Sequence, residues 1–117
     1  MNFYLEKNTN NVVVSRTELN LGDNFKQLKA GSTDAATEKH VPVVEVNGDT
    51  YKVTVGSVPH PMTEEHWITE IFLVTENGYM SKTLNSTDEP TVEFTTKDKV
   101  LAAYEYCNLH GLWKKEL

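Results

Sequence analysis

The sequence has 117 residues, 38% of them hydrophobic and 24% charged, with a formal net charge of −6 and one cysteine, Cys107. That length suits one compact domain with a sizeable core and is short for two. The acidic balance, without any Lys/Arg cluster, argues against nucleic-acid binding; a single cysteine excludes an internal disulfide framework, and no apolar run reaches membrane-spanning length. Met1–Lys7 has no signal-like character, so a soluble, cytoplasmic protein is expected.

Period-two alternation dominates the chain. The segment from Met1 to Ala30 reads as an arm containing a strand over Asn11–Ser15. Small and polar residues at Ala30–Asp34 mark a soft boundary, giving a division into residues 1–34 and 35–117. Val41–Val46 is a predicted strand, followed by the turn Asn47-Gly48-Asp49. In Thr50–Val55, Tyr51, Val53 and Val55 face one way while Lys52 and Thr54 face the other. Trp67–Thr75 is a β-rich run that stops at Glu76-Asn77-Gly78, the strongest hairpin signal in the chain. Tyr79–Leu84 returns from it, and Thr91–Thr95 follows the turn cluster Asn85–Pro90. Lys99–Tyr106 suits a helix or a strand equally. Short strands between turn clusters predict an all-β, antiparallel sandwich.

The chemistry-bearing residues are four histidines and the cysteine. His40 lies in E-K-H-V-P, His60 in S-V-P-H-P-M, His66 in E-E-H-W-I, and His110 three places after Cys107 in E-Y-C-N-L-H-G-L-W. All four fall at expected strand ends or turns, away from the middle of apolar strands. Pro59 and Pro61 bracket His60 and stiffen its backbone, which lowers the entropy lost in holding a ligand. The Cys107/His110 pair by itself allows an inert buried thiol, a Cys–His nucleophile, or half of a metal site. Four imidazoles and a thiolate would suit a five-coordinate transition metal. They do not suit structural zinc, which prefers four ligands and more sulfur, nor blue copper, since no Met follows Cys107.

Three motifs, Gly31–Val43, Gly56–Ile68 and Glu105–Trp113, resemble those of the superoxide reductases, the desulfoferrodoxin/neelaredoxin family of non-haem iron proteins. The resemblance implies one mononuclear iron per chain, cycling between Fe(2+) and Fe(3+). His40, His60, His66 and His110 would supply four equatorial nitrogens and Cys107 an axial sulfur. It further implies one-electron reduction of superoxide to hydrogen peroxide, an external rubredoxin-like electron donor, an immunoglobulin-like sandwich with a small N-terminal β arm, and a homodimer. By the same correspondence Lys39 attracts superoxide and helps to organise the proton-supplying water, and Glu38 is the carboxylate that occupies the sixth site of the oxidised iron. Two-iron relatives carry four cysteines in the arm, where this chain has residues such as Leu5, Asn8, Asn20 and Leu21. The arm is therefore expected to be metal-free. An iron electron-transfer protein without superoxide turnover, or a Cys–His hydrolase using Cys107 and His110, are the competing readings.

Overall fold

The computed structural model describes residues 1–117. Ten strands and one short helix follow in the order β1 (Asn2–Glu6), β2 (Val12–Ser15), β3 (Phe25–Leu28), α1 (Thr37–His40), β4 (Pro42–Asn47), β5 (Thr50–Val55), β6 (Ile68–Thr75), β7 (Gly78–Thr83), β8 (Thr91–Thr95), β9 (Val100–Cys107) and β10 (Gly111–Glu116). They form three antiparallel sheets, β2-β1-β3, β10-β9-β6-β7 and β4-β5-β8. No helix is long and apolar enough to cross a membrane.

The four- and three-stranded sheets face each other across one core, which is the predicted sandwich. Val53 and Val55 of β5, Val92 and Phe94 of β8, Ile71 and Leu73 of β6, and Ala103 and Cys107 of β9 meet in it. The alternation read in Thr50–Val55 holds, since Val53 and Val55 are fully buried and Lys52 is exposed. The two-residue hairpin also forms, with Thr75 paired to Gly78 across Glu76 and Asn77.

β6 is buried on both faces, which explains its unbroken apolar run. Ile71 and Leu73 point into the sandwich, whereas Phe72 and Val74 point outward to a second apolar cluster with Phe3, Tyr106 and Leu112. That outer cluster is where the arm sits. Phe3 makes an edge-on contact with the Phe72 ring at a centroid distance of 5.2 Å, a favourable aromatic geometry. Covering by the arm also decides the ambiguous Lys99–Tyr106 segment. It is strand β9, central in its sheet between β6 and β10, with apolar residues required on both of its faces.

Four elements had no specific place in the sequence reading. β1 and β3 belong to the arm, β10 follows the Cys107–His110 turn, and α1 is a single helical turn carrying Glu38 and Lys39. A one-turn helix is too short to leave a periodic apolar signature.

Candidate metal centre

One end of the sandwich gathers the four histidines and the cysteine. Each arrives from a different local device. His40 is the last residue of α1. His60 follows β5, its N–H donating to the Val55 carbonyl at 3.2 Å. His66 ends a turn in which Thr63 and His66 exchange backbone hydrogen bonds of 2.9 and 3.2 Å. Cys107 and His110 belong to one tight hairpin: Cys107 pairs with Gly111 across a three-residue turn, and Gly111 takes a φ of 79°, a conformation glycine adopts without steric penalty. The C-N-L-H-G run is thus a hairpin turn that presents a thiol and an imidazole together.

The ligand atoms of His40, His60, His66, Cys107 and His110 all lie within 4.8 Å of one another. The four rings form a square. Successive centroids are separated by 4.6 Å (His40–His60), 4.6 Å (His60–His66), 4.9 Å (His66–His110) and 4.9 Å (His110–His40). The His40–His66 diagonal is 6.5 Å, close to that of a square with such edges. Cys107 Sγ approaches His60 Nε2 at 3.5 Å.

Hydrogen bonds identify which nitrogen of each ring faces the centre. His60 Nδ1–H donates to the Pro61 carbonyl at 2.6 Å, and His40 Nδ1 contacts Glu105 Oε2 at 3.3 Å, so both rings turn Nε2 inward. His66 Nε2 and His110 Nδ1 are buried without a partner. Such orphaned atoms cost roughly 1–3 kcal/mol each, and a metal ion would relieve both. Burial pulls the His40 and His60 pKa values from 6.5 to about 4, with repulsion from the neighbouring rings and Lys39 adding to it. Burial likewise lowers His66. These rings are held neutral, as metal ligation requires. Burial raises the Cys107 thiol pKa, and the backbone N–H groups of His110 and Leu109 work against that by donating to the sulfur. A cation at the sulfur would deprotonate it outright. The donor set, its neutrality and its two orphaned nitrogens all fit a single transition-metal ion.

The family model for desulfoferrodoxin matches residues 32–116. The chain belongs to the desulfoferrodoxin family. It is 52% identical over 95 residues to a desulfoferrodoxin of Nitratidesulfovibrio vulgaris, covering 81% of this chain and 75% of that protein. With a superoxide reductase of Pyrococcus abyssi it shares 41% identity over 110 residues, covering 77% of this chain and 93% of the other. The crystal structure of the superoxide reductase from Treponema pallidum matches with a TM-score of 0.83 at 40% identity, covering 98% of each chain. That likeness takes in the arm.

Several supporting residues of this desulfoferrodoxin-family site lie within the three motifs, but neither residue type nor spacing reveals their roles. Glu105 is fully buried, and burial pushes its carboxyl well above the usual carboxylate range. Its Oε2 is the partner that sets the His40 ring, an arrangement that orients metal-bound imidazoles. Asn108 ties the Cys107 hairpin to the His66 turn, accepting from the Trp67 N–H at 3.0 Å and donating to the Glu65 carbonyl at 2.9 Å. Trp113 stacks on His40 at 5.0 Å and donates its indole N–H to the His110 carbonyl at 3.0 Å; Thr33 Oγ1 donates to the same carbonyl. Each partner comes from a distant part of the chain. A strand-borne Glu in L-A-A-Y-E-Y could have been noted, because its side chain must point into the sandwich or the arm.

Glu38 and Lys39 lie in α1 beside His40, both exposed. Their backbone is clamped. The Glu38 carbonyl accepts from the Val58 N–H at 2.9 Å and from Ser57 Oγ at 3.2 Å. A Cβ on Gly56 would stand 2.6 Å from that carbonyl oxygen and 2.9 Å from the Lys39 carbonyl carbon, so only glycine allows the His60 segment to approach α1 this closely.

Proposed function

We propose that this chain is a superoxide reductase holding one mononuclear iron. His40, His60 and His66 would bind through Nε2, His110 through Nδ1 and Cys107 through its sulfur. When bound, the iron supplies one electron at a time between its ferrous and ferric states. The net reaction joins one superoxide, one electron and two protons into one hydrogen peroxide and releases no dioxygen. The observation that carries this reading is the convergence of five donor atoms within 4.8 Å, four of them from a square of imidazoles.

The chain's own residues do the rest. The hairpin amides of Leu109 and His110 donate to the Cys107 sulfur and temper its electron donation. Lys39 offsets the repulsion that a chain of net charge −6 presents to an anion, and raises the local concentration of superoxide. Its ammonium also holds water near the site as a proton source. Glu38, on the same helical turn, would be the carboxylate available to the iron in the oxidised protein. The Gly56–Val58 clamp fixes the backbone of both. A rubredoxin-like protein returns the electron. The lone reduced thiol fits the cytoplasm, and a homodimer is the expected assembly. Residues 1–34 act as a metal-free arm and residues 35–117 as the iron domain.

The test begins with iron content and the visible spectrum before and after mild oxidation, in the parent and in Cys107→Ser. About one iron per chain is expected, as in other mononuclear sites of this ligand number, with a thiolate-to-iron band that appears on oxidation and is absent from the variant. Superoxide consumption without dioxygen release must follow. A freely alkylatable Cys107 in iron-replete protein would refute the reading and favour a Cys–His nucleophile. Iron binding without superoxide consumption would leave an electron-transfer protein. Lys39→Ala is expected to slow superoxide oxidation of the reduced protein about tenfold at low ionic strength, with the loss shrinking as salt rises.

A further inference from the structure

A groove of about 410 Å³ runs between the arm and the Cys107–His110 hairpin. Leu5, Leu28 and Leu112 line its apolar part, Lys26 and Lys29 stand over it, and Leu109 forms its wall toward the metal centre. No carboxylate lines it, although acids outnumber bases by 17 to 11 in the chain. Both lysines are exposed and neither is ion-paired. The groove is therefore a small positive, partly apolar surface on an acidic protein.

Its position matters as much as its charge. Leu109 is 59% exposed, whereas Cys107 two residues earlier is fully buried. Leu109 thus joins the groove to the buried sulfur through two residues of covalent chain. Lys39 is not among the residues of the groove, so a molecule seated there does not occupy the residue assigned to superoxide.

We infer that this groove is the docking surface for a small, acidic one-electron carrier protein, whose electron enters through the Leu109 amide and the Cys107 sulfur. The inference rests on the superoxide reductase reading, which requires an external donor. In each encounter the reduced carrier loses one electron and the oxidised site gains it; no bond forms or breaks. Electron-transfer proteins typically meet in weak, short-lived encounters, in which opposite charges chiefly set the rate of association.

The test uses reduced rubredoxin as the probe, mixed with the oxidised iron-loaded protein in stopped flow. The double variant Lys26→Glu/Lys29→Glu is expected to lower the second-order rate about tenfold or more at low ionic strength, with the gap closing at high salt. The neutral pair Lys26→Gln/Lys29→Gln should fall between the two. Oxidation of the pre-reduced double variant by superoxide keeps the parental rate. Reduction of the double variant by rubredoxin at the parental rate would overturn the inference. So would a parent that rubredoxin does not reduce, or a loss that appears in Lys39→Glu and not in the lysine pair. Dissociation of a dimer in the double variant, seen by sedimentation, would overturn it too, since a second copy would then fill the groove. Failure of the pre-reduced parent to react with superoxide strikes at the function itself and leaves a separate signature.

Discussion

The arm and the metal end of the sandwich solve burial in opposite ways. Beneath the arm, Phe3, Phe72, Val74, Tyr106 and Leu112 form an apolar cluster that is satisfied by contact alone. At the metal end, polar groups are buried in its place. All three buried side-chain polar atoms without a partner, His66 Nε2, His110 Nδ1 and Glu105 Oε1, lie in or against the cluster of donors. A folded chain tolerates such orphans where something else is meant to satisfy them. The arm therefore persists without thiolates because apolar burial suffices there, whereas the other end is incomplete as protein alone.

That contrast is sharpest when the iron is removed. Chelation is expected to destabilise the protein by about 4 kcal/mol or more, the stabilisation expected of a ligand present at a thousandfold excess over its dissociation constant. Calorimetry of iron-loaded and iron-free protein measures it. An unchanged melting temperature would break the comparison. The iron-free form should also show a pH signature. His40 and His60 have folded pKa values of about 4, below the ordinary 6.5, so the unfolded chain takes up protons first. The contribution of these two rings is then complete above pH 6.5 and is lost as pH drops toward 4, while Glu105, whose carboxyl pKa burial raises, acts in the opposite sense. Urea midpoints of iron-free protein across that window test the sign.

Phe3→Ala tests the other side of the contrast. Truncating a buried phenylalanine costs about 3–5 kcal/mol, and the lower end is expected here because Phe3 comes from a peripheral sheet. The variant should unfold earlier in urea yet bind iron with parental stoichiometry and spectrum. Loss of iron from folded Phe3→Ala would show that the arm and the metal end are one unit.

Glu105→Gln is the smallest change and the most local. It keeps an acceptor within reach of His40 Nδ1 but removes the carboxylate. Iron affinity is expected to fall about tenfold, the lower range for outer-shell partners, with a shift in reduction potential. Rescue in Glu105→Asp is not expected, since the shorter side chain cannot span the 3.3 Å contact from the same backbone. Unaltered affinity and potential would reduce Glu105 to a packing residue.

Much of the sandwich was legible in the chain. The alternation in Thr50–Val55 and the Glu76–Asn77 hairpin are local signals, set by pleat geometry and turn sterics. β9 was not legible, because alanines and tyrosines suit helix or strand until the arm and β6 cover both faces. α1 and β3 are only four residues each, β1 is decided by its pairing with β2 and β3, and β10 by the hairpin that returns it along β9. The site divides in the same manner. His40, His60, His66, Cys107 and His110 could be picked out by residue type and motif, whereas Glu105, Asn108, Trp113 and Gly56 act through partners far along the chain.

The sequence by itself determined the inventory: four imidazoles, one thiol, a proline-bracketed histidine, a lysine and a glutamate beside His40, and an arm without cysteines. Only the tertiary structure decided which nitrogen of each ring faces inward and which carboxylate holds His40, 65 residues away. It also set the backbone clamp at Gly56 and brought the arm's lysines alongside the Cys107 hairpin. The reason is physical. Donor chemistry belongs to single residues, but ring orientation, close approach and shared surfaces depend on which segments burial forces together.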